Sequence, residues 1–316
     1  MKIAIVGAGM TGLAAARSLS ARGARVVLFD KGRGVGGRCA SRGRDLGGFD
    51  HGAQRLFARS ERFQGIVEGW AADGRVLPTH EPGEHARGWL PTPAMNALPT
   101  SLATGLEVRA SLRVQSLVRR DRSWWLGLEG REPAGPFDTV LVTAPAPQSR
   151  ALLAPHGVFV TALGAVAYDP CWALTLACDA GSVGALPDAI FLSVDDPALA
   201  LVAREGRKPG RAPDGALVRL VVHGSADFSQ RLLEAGDDEV SASLLAALRR
   251  CPGLDGLRVR FSHAHRWRFA HVSRALGEPF LFDRTRGLGV AGDGLLGPSI
   301  EAAWTSGEAA AEEIGD

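Results

Sequence analysis

Residues 2–38 read KIAIVGAGMTGLAAARSLSARGARVVLFDKGRGVGGR, and the order of features in this stretch decides the fold. Ile3 to Val6 is apolar with no polar face, the pattern of a parallel strand buried on both sides. Gly7-Ala8-Gly9-Met10-Thr11-Gly12 follows at once as a G-x-G-x-x-G. Gly7 permits the tight turn, Gly9 lets a pyrophosphate approach the backbone, and Gly12 lets a helix pack close to the strand. The spacing predicts a helix over about 10–22 with Leu13, Ala14, Ala16 and Leu19 on its apolar stripe. Its first turn would offer free N–H groups and a partial positive charge to phosphate. A second strand, 25–29, ends at Asp30, close to the roughly 20 residues past the fingerprint expected for the acid that grips a ribose. With 40 Gly in the chain a bare fingerprint is weak. Strand, fingerprint, helix, strand and acid in that order are strong, and read as a Rossmann-like α/β dinucleotide domain.

The next loop bears on which dinucleotide. Lys31-Gly32-Arg33-Gly34-Val35-Gly36-Gly37-Arg38 is glycine-rich and basic, directly after the acid. An NAD domain has no usual reason for Gly-Gly-Arg here. The loop resembles the flavin motif of amine-oxidase-like FAD proteins. That resemblance implies close backbone approach at Gly36 and Gly37, with Arg38 forking onto the pyrophosphate and Lys31 beside it.

Length and composition set wider bounds. The 316 residues suit one large or two moderate domains, and 46% hydrophobic with 22% charged is ordinary for a globular chain. A net charge of +2 argues for neither nucleic acid nor a membrane surface as partner. Of 36 Lys+Arg only Lys2, Lys31 and Lys208 are lysines. Cys39, Cys171, Cys178 and Cys251 show no paired spacing, so neither zinc nor a disulfide framework is expected. The fold starting at residue 2 and the lack of an apolar run near ~18 residues lead to the expectation of a soluble, cytoplasmic protein.

Further along, Asp50-His51-Gly52-Ala53-Gln54-Arg55 is a glycine-marked turn in which His51 is read as a hydrogen-bonding residue ahead of a base. Residues 63–89 loosen into short polar pieces, an excursion from the first domain. From 106 to 144 the alternation predicts a strand meander, with Val108, Leu112 and Val114 alternating, further strands at 124–128 and 139–142, and turns at 121–122 and 133–136. The region 151–271 carries strand candidates at 172–178, 199–203 and 216–223 and an amphipathic helix at 239–250. Arg204 to Arg211 is a basic turn. Over 261–270 a strand puts His263, His265, Trp267 and Phe269 on one face and Ala264, Arg266, Arg268 and Ala270 on the other. The two histidines lack a completing carboxylate or thiol, so no metal is assigned. At the end, strand 288–291 runs into Gly292-Asp293, and a small-residue helix starts at Pro298-Ser299-Ile300-Glu301.

Three motifs in order, 7–12, 36–38 and 292–301, make the chain similar to the flavin amine oxidase superfamily. Within it GRGVGGRCASR, FDHGAQ, KPGR, HRWRFA and GDGLLGPSIEAAWTSGEAAA resemble bacterial renalases over nearly the whole chain. The resemblance implies non-covalent FAD and a Rossmann-like FAD-binding domain (1–62, 95–150, 272–316) with an inserted α+β substrate domain of mixed sheet and helices (63–94, 151–271). It implies cofactor contacts from Gly7, Gly9, Met10, Thr11, Gly12, Asp30, Lys31, Gly37 and Arg38. It adds Gly52, Ala53 and Gln54 beside the flavin ring, Val114 near the adenine, Ala144, Gly292, Asp293 at the ribityl chain, and Ser299, Ile300 and Glu301 facing the pyrimidine. Gln54, His265 and Trp267 would meet the substrate, and Arg204, Lys208, Arg211, Arg266 and Arg268 would hold its phosphates.

The activity so implied is oxidation of 2- or 6-dihydro-NAD(P) with oxygen as acceptor, giving hydrogen peroxide. Such a donor needs placement more than a general base. Two departures stand out. The ribose acid is Asp30 where Glu is usual, and Ala200 to Arg204 lacks the expected Trp. The rival reading is an oxidase of a small amine. It would want an aromatic pair flanking the flavin, often tyrosines, of which only Tyr168 exists although tryptophans could take their place, and a water-holding lysine, for which Lys208 is the candidate.

Overall fold

The computed structural model describes residues 1–79 and 87–315, with the backbone alone at Arg44. The chain divides into two compact units.

The first unit comprises Met1–Arg38, Pro99–Tyr168 and Val272–Asp316. Its six-stranded sheet runs Phe280–Asp283, Leu288–Ala291, Thr139–Val142, Lys2–Val6, Arg25–Phe29, Glu107–Arg109. All pairs are parallel except the edge pair 280–283 with 288–291. Lys2–Val6 sits inside this sheet with Ile3, Ala4 and Ile5 wholly buried, as a strand apolar on both faces must. Helix Met10–Ala21 buries Leu13, Ala14, Ala16 and Leu19, and the helix Ile300–Gly315 packs along it. The two close at Gly307, where any Cβ would collide with the Thr11 carbonyl.

A separate sheet holds Arg131–Phe137, Ser123–Leu128 and Val114–Arg120. Its prolines correct the sequence expectation. Pro133 and Pro136 lie within strand Arg131–Phe137 rather than in a turn, and the reversal comes earlier, at Glu129 and Gly130. This strand is at the sheet edge, where a missing N–H goes unnoticed.

The second unit comprises Cys39–Leu98 and Asp169–His271. Its five-stranded sheet is ordered Phe191–Leu192, Leu199–Arg204, Leu217–Gly224, Ala167–Asp179, Val259–Arg274, with the first four strands antiparallel. Helix Asp237–Leu248 covers one face, burying Val240, Leu244 and Leu248 against Leu174, Leu176 and Leu220. A smaller sheet joins Leu56–Phe57, Gly88–Pro91 and Val76–Thr79.

Three boundaries differ from those the motifs imply, and residues 95–98 fall in the second unit. Residues 39–62 belong to the second unit because Leu56 and Phe57 pair with Trp89 and Gly88. Residues 151–168 belong to the first, where Leu153, Val158 and Leu163 enter its core. The loose polar excursion at 63–89 is also partly corrected. Glu61–Ala72 is a helix capped by Ser60, which accepts from the Phe63 N–H at 3.3 Å, and Phe63, Val67 and Trp70 are its buried stripe. Residues 80–86 of that stretch lie outside the described residues.

Candidate active site

In the first unit the fingerprint forms a cradle of main chain. Gly7 has φ +116°, closed to residues with a side chain at ordinary cost, and Gly12 lies so near the Gly7 carbonyl that a Cβ would not fit. Thr143, unassigned from sequence, braces this turn by donating its hydroxyl to the carbonyls of Val6 and Gly7, 3.1 Å each. The second glycine loop comes alongside: Gly36 N–H donates to the Ala8 carbonyl at 2.8 Å, and Gly9 bridges Gly36. Asp30 ties both loops, accepting from the N–H of Ala8 at 2.7 Å and of Gly32 at 2.6 Å.

These residues fit a dinucleotide. Helix Met10–Ala21 begins with no side-chain cap and no acid in its first turn, so its N–H groups and dipole are uncompensated by the chain. A Cβ on Gly9 would meet nothing within 4 Å, which leaves room for a phosphate against the backbone. Arg38 reaches the Gly292-Asp293 turn, its Nη2 2.6 Å from Asp293 Oδ1. That turn is pinned by Ser306, whose hydroxyl accepts from Gly292 N–H at 2.7 Å and donates to Pro279 O at 2.5 Å. Ser299 accepts from Ala302 N–H at 2.9 Å and so caps the helix that Ile300 and Glu301 begin. Tyr168, the sole tyrosine, accepts from Ala146 N–H at 3.2 Å; burial, and then the Asp293 carboxylate, raise its pKa. Lys31 reaches Gln148 at 3.3 Å, and burial followed by Arg113 lowers its pKa. Val114 is buried in the core, and the Ala144 carbonyl accepts from Ser149 at 2.7 Å.

Gly52, Ala53 and Gln54 stand in the second unit, in a turn beside a buried charge cluster. Lys208, 2% exposed, places Nζ 3.1 Å from Asp50 Oδ2, 2.9 Å from Gln54 Oε1 and 2.7 Å from Glu205 Oε1. Arg211 also pairs with Asp50 and lies 3.6 Å from Glu205. Ser41 Oγ at 2.6 Å and Met95 N–H at 2.9 Å complete the shell of Asp50. Burial works to raise the Asp50 pKa, but Lys208, Arg211 and these hydrogen bonds outweigh it and hold it low. Burial wins at Glu205, whose pKa is raised despite Lys208.

Next to this cluster is an aromatic group. The His51 ring stacks on Trp267 at 5.4 Å, and His265 meets both edge-on at 5.0 and 4.4 Å. Trp267 Nε1 donates to the His51 carbonyl at 2.8 Å. Arg42 lies 2.9 Å from His263 Nε2 and 3.2 Å from His265 Nδ1. Burial, then Arg42, push His51 down to about 3 and His265 to about 4; burial and His271 push His223 to about 4. All three rings are therefore neutral near pH 7.

Several expected roles shift. Gln54 does not offer its amide outward: Nε2 donates to the carbonyls of Asp50 and Gly52, and Oε1 takes Lys208. Lys208 and Arg211 are committed to internal carboxylates, and Arg204 donates to the Pro187 carbonyl at 2.7 Å. Arg266 and Arg268 share Glu234 and, by strand alternation, lie on the face opposite His265 and Trp267. The five cations expected to gather round a substrate's phosphates are thus each engaged by protein acceptors. Among the described residues no group of three or more His, Cys, Asp or Glu is placed to hold a metal. Among them, too, no helix is long and apolar enough to cross a membrane.

A family model of the NAD(P)-binding Rossmann-like domain matches residues 5–69, and one of flavin containing amine oxidoreductases matches residues 80–315. The chain belongs to the flavin-containing amine oxidoreductase family. Membership makes FAD the dinucleotide of the cradle and flavin redox chemistry its reaction class. Curated relatives include a 4,4'-diapophytoene desaturase (4,4'-diaponeurosporene-forming) of Staphylococcus haemolyticus, 52% identical over 52 residues, which is 16% of this chain and 10% of the desaturase. The chain thus matches only about a tenth of that relative's length. Among solved structures, a putative protoporphyrinogen oxidase from Exiguobacterium sp. superposes with TM-score 0.74 at 16% identity, covering 99% of this chain and 98% of the other. Putrescine oxidase bound to putrescine gives 0.69 at 11%, covering 99% of each chain. Cyclohexylamine oxidase from Brevibacterium oxydans gives 0.68 at 13%, covering 99% and 98%. These likenesses concern the fold.

Proposed function

We propose that this protein is an FAD-dependent oxidase of dihydronicotinamide isomers, 2- or 6-dihydro-NAD(P), which it returns as NAD(P) with hydrogen peroxide formed from oxygen. The observation that carries this reading over an amine oxidase is the state of Lys208. An ammonium has three donors, and here three oxygens within 3.1 Å take them, so this lysine is not free to hold a water for amine oxidation. FAD, when bound, supplies a two-electron acceptor that oxygen can reoxidise. The chain's own part is placement. Gly7 to Gly12, Gly37 and Arg38 hold the diphosphate, and Asp30 the ribose side. His51, His265 and Trp267 offer an uncharged aromatic surface to a flat ring. None of the three needs to accept a proton, because a dihydropyridine is driven by its own ring nitrogen.

The second reading is an oxidase of a small amine, favoured by the structural likeness to putrescine oxidase and cyclohexylamine oxidase. Stopped-flow mixing without oxygen separates the two. The flavin is expected to bleach with 2- or 6-dihydro-NAD(P) and to stay yellow with benzylamine and putrescine. Bleaching by either amine, with both isomers inert, would make the amine reading the right one.

A further inference from the structure

Tyr168, the only tyrosine of the chain, packs against the core of the first unit, and its contacts place it among the parts of the cradle. Its phenol oxygen accepts from Ala146 N–H at 3.2 Å. Ala146 opens the helix Ala146–Leu153, whose N-cap, Pro145, makes no side-chain bond and whose second residue, Pro147, has no N–H. The phenol thus takes up a helix-end donor just past strand Thr139–Val142. The same oxygen closes on Gly294, where a Cβ would come within 2.2 Å of it and within 3.2 Å of Val166 Cγ1. Gly294 directly follows Asp293, the partner of Arg38 at 2.6 Å. Arg38 itself meets the ring: its guanidinium carbon stands 6.0 Å from the Tyr168 ring centre. An ion pair fixes one end of a guanidinium, and a ring against its face fixes its tilt. Burial and then Asp293 raise the pKa of Tyr168, so the phenol stays neutral and sets no negative charge against a phosphate.

We propose that Tyr168 is a positioning residue for FAD: seated between Ala146 and Gly294, it sets the tilt of the Arg38 guanidinium, so that Arg38 meets the cofactor's diphosphate in the plane that a forked hydrogen bond needs. The inference uses FAD as the dinucleotide of the family and stands apart from the choice between a dihydronicotinamide and an amine. A tyrosine that only filled the core would weaken FAD binding by the same factor whether or not Arg38 were present. A tyrosine acting through Arg38 loses its effect when Arg38 is gone.

The test titrates FAD into the full chain, read by quenching of flavin fluorescence, for Tyr168→Leu with Arg38 present and in the Arg38→Ala background. With Arg38 present, the dissociation constant of FAD is expected to rise about tenfold, the combined worth of a neutral hydrogen bond and a cation–π contact. In the Arg38→Ala background the same substitution is expected to raise it by less than about threefold. Tyr168→Phe keeps the ring and loses only the bond to Ala146, and a rise of about threefold is expected with Arg38 present. A folded Tyr168→Leu that binds FAD as the parent does overturns the proposal, and so does an equal loss in both backgrounds. If the leucine variant does not fold, Tyr168→Phe carries the comparison. A rise with Arg38 present and none in its absence supports positioning, and equal factors or no rise at all overturn it. No substrate enters the measurement, so its outcome is independent of which donor bleaches the flavin.

Discussion

Internally, the two units are held together by opposite means. The first presents main chain: glycine loops and an uncapped helix end, with Arg38 paired to Asp293 beside them. The second presents side chains held by other side chains, with Lys208 linking Asp50, Gln54 and Glu205. A cradle of N–H groups exists as soon as the backbone folds, so trimming a side chain there removes ligand affinity and little else. A buried ionic cluster exists only while every member is present, so trimming one leaves its partners desolvated and unpaired. The difference predicts that damage to the first unit reads out in FAD retention, and damage to the second in stability.

The largest expected effect breaks the cluster. Lys208→Met leaves Asp50 and Glu205 sharing Arg211 alone. Removing one partner of a buried pair costs about 3–5 kcal/mol, and urea unfolding of the variant is expected to show a loss of that order. A loss under about 1 kcal/mol would put the cluster in the class of hydrated surface pairs and erase the contrast.

The second effect sharpens the other side. Arg38→Ala is expected to weaken FAD retention by about 1.5–3 kcal/mol, roughly 10- to 150-fold, with a smaller loss of FAD-free stability than Lys208→Met, because the Asp293 partner it leaves behind belongs to a part-exposed pair. Arg33→Ala is the control, because Arg33 is exposed on the same loop. Equal retention in the two variants would mean that the fork is made by another residue.

The same contrast explains what could be read from the sequence. The cradle was legible because its parts are adjacent in the chain and its constraint falls on glycine, so Gly7, Gly12 and the Gly36-Gly37-Arg38 loop announce themselves in one stretch. The parallel sheet followed, since Ile3 to Val6 has no polar face. The cluster joins residues 155 and 158 positions apart, and nothing local marks Asp50 as the partner of Glu205 or Lys208. Only the i, i+3 spacing of Glu205 and Lys208 was a usable hint, and a basic turn is ordinarily solvated. Pro133 and Pro136 misled because a proline signals a turn unless the strand is an edge, and edges are set by tertiary pairing. Thr143 and Ser306 were invisible for the same reason as the cluster: their acceptors, at Val6, Gly7 and Pro279, are distant in sequence.

A third, smaller effect concerns pH and the histidines of the second unit. His223 is buried and sits at about 4 against an ordinary 6.5, lowered by burial, then by His271 and Lys208. The unfolded chain takes up this proton first as pH falls. Stability is therefore complete above about 6.5 and drains as pH falls toward 4, by at most ~1.4 kcal/mol per pH unit for one proton. His51 and His265 work in the same direction. Glu205 works in the other, because its raised pKa lets the folded form gain its proton earlier. His223→Phe cancels one contributor, and a flatter slope of unfolding free energy between pH 6.5 and 4 than the parent's is expected. Parallel slopes would mean that His223 is not held neutral.

The smallest effect is expected where side chains hold one another at the surface. Arg266 and Arg268 both reach Glu234, at 3.1 and 2.6 Å, and all three are exposed. Exposed pairs of this kind contribute little, because water screens both partners and long side chains lose freedom in meeting. Strand alternation also turns these arginines away from the face of His265 and Trp267. Arg266→Ala and Arg268→Ala are therefore expected to leave melting unchanged and to move the half-saturation for dihydro-NADP by less than about threefold. A tenfold rise confined to the phosphorylated donor, with dihydronicotinamide riboside unaffected, would instead make these arginines phosphate anchors. The second unit would then bind its ligand from both faces of one strand, an arrangement that the buried cluster and the aromatic group do not require.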